Sequence, residues 1–232
     1  MSERHLNKVF VIAAHPDDEI LGCGGTIARH IKNGDMVAIL IMADGITSRE
    51  KSSIHLLAKE LSERQQCANR ANGILGVNNL TLLSYPDNRM DGAVLLDVVK
   101  DVEKKLDQFK PSIVYTHHSG DVNIDHSLVH EAVIVACRPQ PGHSVRQLLF
   151  FETPSSTEWR PAASRSSFDP NWFIDISGTL DLKLQALAAY SSEIKDFPHP
   201  RSLAAIEHLA RWRGASVGVP AAEAFELGRV IQ

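Results

Sequence analysis

His15, Pro16, Asp17, Asp18 and Glu19 stand in a row inside VIAAHPDDEILGCGG, residues 11–25, straight after an apolar run. Three adjacent carboxylates repel one another, so a helix terminus, a cation or both must hold them. Proline suits a first helical position, and acids in a first turn complement the helix dipole. That accounts for the acids, at roughly 0.3–1 kcal/mol each, but not for His15. A histidine and an aspartate three residues apart, across a tight turn, can both point at one cation. Zinc accepts imidazole nitrogen and carboxylate oxygen together.

Two donors need a third. The stretch THHSGDVNIDHSLVH, residues 116–130, offers candidates. His126 and His130 are four apart and share a helix face. The glutamate of a His-Glu-x-x-His zinc pair is missing, because Ser127 follows His126. His117, His118, His130 and His143 read as ordinary satisfied polar residues. Gly22, Gly24 and Gly25 fall short of a dinucleotide fingerprint, since Ile27 occupies the place of the third glycine. Close packing of helix on strand is the reading for them.

These residues need a frame. Apolar runs of strand length cover Lys8–Ala14, Met36–Ala43, Leu80–Tyr85, Ser112–Thr116, Gln147–Glu152 and Trp172–Ile176. Helical spacing covers Ile20–Asn33, about Ser52–Leu75, Val94–Phe109 and Asp125–Cys137, with more helix around 179–192 and 201–213. Strand–helix alternation predicts an α/β, Rossmann-like and mostly parallel sheet with helices on both faces. It also places both histidine-bearing stretches at carboxyl ends of strands, where open α/β sheets bind ligands. Residues 154–171, rich in Pro, Ser and Arg, read as a loop over the site. No internal repeat or linker divides the chain, so residues 1–232 read as one domain.

The bulk properties fit a soluble globular protein, with 44% hydrophobic and 22% charged residues. A net charge of −4 argues against a nucleic-acid partner. Cys23, Cys67 and Cys137 are three and widely spaced, which argues against a disulfide framework or thiolate zinc. With no signal peptide and no membrane-crossing apolar run, the expected location is the cytoplasm.

AAHPDDEILGCGG resembles the signature of the PIG-L/LmbE family of zinc-dependent N-acetylglucosamine de-N-acetylases. NIDH at 123–126, Arg64 with Ala71 and LGV at 75–77, and AEAFEL at 222–227 resemble further family motifs. The resemblance implies a metal-dependent hydrolase that removes an acetyl group from an amino sugar or sugar conjugate. It implies Zn2+ held by His15, Asp18 and His126, with Asp17 as general base. Arg64 matches a substrate-contacting arginine, and Asp125 the acid before the third ligand, counted here among the catalytic residues. It also implies a small-molecule N-acetylated substrate and a homo-oligomer. Many relatives have a histidine where this chain has Asn123, and a glutamate at Cys67. Asn123 is then the expected oxyanion donor, since an amide donates a hydrogen bond but shuttles no proton.

Asp44 and Asp87 end strands at the same sheet edge and could contact sugar hydroxyls, or cap turns; Asp121 and Glu152 stand similarly. Trp159 and Arg160, in the long loop, are of types that stack on a sugar ring. Two other readings compete: a non-catalytic nucleotide- or sugar-binding module on the same fold, and a zinc amidase for a non-sugar amide. A binder has no need of a base beside a ligand.

Overall fold

A computed structural model describes residues 6–48, 54–161 and 167–232. Ser52, the expected start of the second helix, and residues 162–166 of the long loop lie outside them. The chain alternates β1 (Lys8–Ala13), α1 (Asp18–Lys32), β2 (Met36–Ala43), α2 (Ile54–Ile74), β3 (Asn79–Tyr85), α3 (Leu95–Phe109), β4 (Ile113–His117), α4 (Ile124–Ala136) and β5 (Gln147–Phe151). It continues through β6 (Trp172–Asp175), α5 (Leu180–Ala188), α6 (Leu203–Ala215) and β7 (Ala222–Val230).

The seven strands order as β3-β2-β1-β4-β5-β7-β6. The first five are parallel, and β7 runs antiparallel to both neighbours. The strands of the parallel part are short apolar runs because both faces are covered. Val9 and Val11 of β1 face one core cluster with Ile20 and Ile27 of α1. Phe10 and Ile12 face the other, with Val99 of α3 and Val133 of α4. Gly22 permits the closest approach of α1 to the sheet: a Cβ there would lie 2.3 Å from Phe151. Gly22 therefore packs helix on strand, whereas Gly24 faces Lys183 of α5 and Gly25 faces Ile176 just beyond β6.

β7 corrects the expectation that helices fill the end of the chain. Residues 222–230 pair in register with β5 and β6. The expected helix over 179–192 is also shorter, ending at Ala188.

Helix α1 is broken. Cys23 has φ −147° and ψ 25°, outside helical values. The broken ends are filled from the far end of the chain. Glu223 accepts from the Gly25 and Thr26 amides at 3.0 and 2.7 Å, and Lys183 Nζ donates to the Leu21 carbonyl at 2.9 Å. Lys183 and Glu223 pair with each other at 2.5 Å, both buried. The first turn of α1, carrying Asp18 and Glu19, is thereby a separately mounted piece.

Candidate metal centre

Strand order reverses between β1 and β4: the chain winds to β2 and β3 on one side and to β5 on the other. At such a switch point the loops after the two central strands diverge and leave a crevice. His15 follows β1; Asp121, in the turn after β4, and His126, in the first turn of α4, follow β4. The two stretches meet there although more than a hundred residues separate them.

Three atoms form a triangle. His15 Nδ1 is 3.1 Å from Asp18 Oδ2, His126 Nε2 is 3.1 Å from the same oxygen, and the two nitrogens are 3.3 Å apart. Ligands about 2.1 Å from a tetrahedral ion stand about 3.4 Å from one another. The edges therefore match a single small divalent cation. Asp18 Oδ1 is buried without a hydrogen-bond partner. A buried, unpaired carboxylate oxygen is costly, and a cation would satisfy it.

The rings are held from behind. His15 Nε2 lies 3.0 Å from Asp125 Oδ2 and 3.2 Å from Asp87 Oδ1. His126 Nδ1 lies 3.0 Å from Asp121 Oδ2. A carboxylate at the far ring nitrogen fixes the tautomer and leaves the near nitrogen's lone pair for a metal. Asp125 is itself fixed by the Asn88 and Met90 amides at 2.7 and 3.0 Å. Asp121 accepts from Ser156, from Thr157 at 2.8 Å and from the Asn123 amide at 2.9 Å. Two other buried groups bring three donors together, His117–Asp121–His126 and His15–Asp87–Asp125. Neither competes. His117 Nε2 already accepts from the Ala14 amide at 2.9 Å, and Asp125 is already saturated with amides.

Charge follows the geometry. Burial pulls the His15 imidazole down, but hydrogen bonds to Asp125 and Asp18 outweigh it and lift His15 to about 10. His126 goes to about 9, Asp18 and Asp121 again outweighing burial. Burial opposes ionisation of Asp18, yet His126 and His15 hold it well below the usual carboxylate range. The cluster demands positive charge, which protons or a metal can supply. His117, by contrast, is kept neutral by burial and by the charge on His126.

Asp17 stands beside the triangle in a left-handed conformation, φ 112°. That conformation is strained for a residue with a Cβ, at a cost of about 1–3 kcal/mol. The Asp17 amide donates to Glu19 Oε2 at 3.0 Å, and Glu19 is anchored by Asn72 and Tyr190 at 2.9 and 2.8 Å. Burial raises Asp17 to about 6, with Arg201 opposing and Asp18 reinforcing the shift. Arg201 Nη1 donates to Asp17 Oδ2 at 3.1 Å.

The other candidate residues divide. Arg64 is buried, pairs with Glu193 and leaves Nη1 without a partner. It borders a groove of about 510 Å³ lined also by Ile46, Cys67 and Ser192. Asp87 reaches His15, whereas Asp44 accepts from the Ile46 and Thr47 amides in a turn. Asn123 caps α4: its oxygen accepts from the Asp125 amide at 2.9 Å, and its Nδ2 donates to Asn88 at 3.0 Å. Trp159 is 53% exposed and meets the His199 ring edge, 6.0 Å between centroids. Arg160 is spent on the Gly120 and Asp121 carbonyls, and Glu152 on Arg213. Arg201 escaped the sequence reading, because one arginine between Pro200 and Ser202 carries no periodicity.

Fold and site together define a Rossmann-like α/β protein with a candidate His–Asp–His metal-binding group at its switch point. The chain belongs to the PIG-L family: the family model described as GlcNAc-PI de-N-acetylase matches residues 10–137. It is 31% identical to the Escherichia coli K12 uncharacterized deacetylase YaiS over 190 residues, 79% of this chain and 90% of that protein. It is 28% identical to the diacetylchitobiose deacetylase of Thermococcus kodakarensis, covering 82% of this chain and 72% of that one. The fold is shared, with TM-score 0.76 and 21% identity, by GalB, the 4-carboxy-2-hydroxymuconate hydratase from Pseudomonas putida KT2440, over 98% of this chain and 99% of that one. No helix among the described residues is long and apolar enough to cross a membrane.

Proposed function

We propose that the protein is a zinc-dependent N-deacetylase that hydrolyses the acetamido group of a small amino sugar or sugar conjugate. The observation that carries this is the closed ligand triangle with a strained, buried carboxylate beside it. Family membership supports the reading, as do relatives named for deacetylation of sugars. A binding module would need neither the triangle nor Asp17.

His15, Asp18 and His126 would hold the ion, which supplies Lewis-acid polarisation of the acetyl carbonyl and acidifies a water. Asp17 takes the proton of that water as its oxygen adds to the acetyl carbon. The C–N bond then breaks and Asp17 returns the proton to the departing nitrogen, giving acetate and a free amine. The raised Asp17 carboxyl suits both transfers. In this reading Asp125 is a positioning residue for His15, and Asp121 does the same for His126. Arg64, Asp44, Asp87 and Trp159 are candidate contacts for the rest of the sugar. Three unpaired cysteines favour the cytoplasm. Self-association stays part of the proposal, and sedimentation tests it.

The experiment is acetate release from a panel of N-acetylated sugars and sugar conjugates, with and without chelator, alongside metal analysis. Acetate with stoichiometric zinc is expected. A protein without stoichiometric metal would sink the reading, and release only from non-sugar amides would move it to another amidase. Stoichiometric iron instead would change the metal but keep the reaction, since two histidines and a carboxylate suit both. Acetate is the telling product, because simple addition of water to a substrate yields none.

A further inference from the structure

We propose that Arg201 donates the hydrogen bond to the oxyanion that forms when water adds to the acetyl carbon. The inference rests on the deacetylase reading above. Preorganised donors aimed at the developing oxyanion stabilise tetrahedral intermediates of acyl transfer and add to what a metal supplies. Asn123 has both ends of its amide committed to the wall of the site, one to the α4 cap and one to Asn88. His117 has its Nε2 occupied by the Ala14 amide, and Arg160 is occupied by main-chain carbonyls.

Arg201 stands just before α6, and its guanidinium crosses to the general base. Nη1 donates to Asp17 Oδ2 at 3.1 Å, and Nε donates to Ser155 Oγ at 2.6 Å. The Arg201 amide is fixed on His199 Nδ1 at 3.0 Å. Glu193 Oε2 lies 3.8 Å from Nη1 and, through Arg64, ties the arginine into the same wall. Among the described residues Nη2 has no hydrogen-bond partner. The Arg201 side chain is 23% exposed, whereas that of the Asp17 it holds is 3% exposed.

Charge gives the arrangement its purpose. Asp17, Asp18, Asp121 and Asp125 crowd the centre, all buried. A negative oxygen growing among them is repelled, and one divalent ion offsets only part of that. A guanidinium is charged at every working pH and offers several donors in a rigid fork, so one N–H can hold Asp17 while another meets the oxyanion. No proton leaves the arginine. The bond is strongest in the tetrahedral state and weakens when the carbonyl re-forms and the amine departs. A donor of this kind acts on turnover more than on substrate affinity.

The test uses the metal-loaded full chain as wild type, Arg201→Met and Arg201→Lys, with an N-acetylated sugar that the wild type turns over. A methylphosphonyl analogue of that sugar, tetrahedral at phosphorus, is titrated by calorimetry. Arg201→Met should lower kcat about 10²-fold, as loss of one oxyanion donor does, with KM within about twofold. The analogue should bind Arg201→Met weaker by a similar factor, while metal content and affinity for the free amine product stay unchanged. Added guanidinium should restore part of the Arg201→Met rate, and Arg201→Lys should fall between. Should Arg201→Met fail to fold, Arg201→Lys carries the same comparison. Unchanged kcat, a raised KM at constant kcat, or a loss of kcat without loss of analogue affinity would each overturn the assignment. So would loss of bound metal. A wild type that releases no acetate removes the deacetylase reading as well, whereas an active wild type with an indifferent Arg201→Met removes only this inference.

Discussion

Two histidine–carboxylate clusters lie at opposite ends of the same central strands. At the amino-terminal edge, His30 Nδ1 meets Asp35 Oδ2 at 2.6 Å and His30 Nε2 meets the Tyr115 hydroxyl at 3.0 Å. Asp35 also takes the Asn7 amide at 2.9 Å. One proton lies on Nδ1, the tyrosine supplies the other, and nothing is left over. Burial keeps this histidine neutral by lowering its pKa. At the carboxyl edge, His15, Asp18 and His126 turn three acceptors towards one point, and Asp18 Oδ1 has no partner. Both histidines there are pushed up instead of down. Residue types are alike in the two clusters, although His30 and Asp35 are half-buried where His15, Asp18 and His126 are buried. What separates a structural histidine from a ligand is whether its hydrogen bonds close.

Paired substitutions break the comparison most sharply. His126→Ala is expected to abolish stoichiometric metal binding and turnover, whereas His30→Ala should keep both and lose about 1–3 kcal/mol of stability, as unpaired buried groups do. Metal analysis and denaturant unfolding read the two effects. If His30→Ala also lost its metal, the distinction between open and closed clusters would fail. Asp17→Asn should keep the metal and lower kcat by about 10²–10⁴-fold; wild-type turnover in that variant would take Asp17 out of the chemistry. Asp121→Asn should weaken metal affinity about 10–100-fold without removing a ligand, which competition with a chromophoric chelator measures.

The smallest expected effect concerns acidity. The folded-state pKa values of His15 and His126, about 10 and about 9, lie above the usual value. In chelator-stripped protein their contribution to stability is complete below about pH 6.5. It is lost as pH rises through about 9 to 10. A thermal scan of stripped protein should decline over that window and metal-loaded protein should not, since the cation replaces the protons. Equal declines would mean that the cluster does not exchange protons for metal.

Much of the parallel half of the sheet was readable because short apolar runs alternate with helical spacing there. The candidate ligands His15 and Asp18 stood out because the pair follows a strand directly, and His126 because a motif resembling the family's carries it. β7 was not, since AEAFELGRV mixes alanine and glutamate, poor strand formers, into its alternation. It becomes a strand only because β5 and β6 present edges to it. Asn123 read as a donor to substrate; its oxygen caps α4 and its Nδ2 gives one N–H to Asn88. Arg201 reaches Asp17 across 184 residues, and no local pattern encodes a contact of that span.

The break at Cys23 ties the site to the order in which the chain is made. The three candidate ligands all lie before residue 137, yet Lys183 and Glu223, which wedge the two halves of α1 apart, are synthesised long afterwards. An emerging polypeptide thus carries the three donors before it owns the brace that aims one of them.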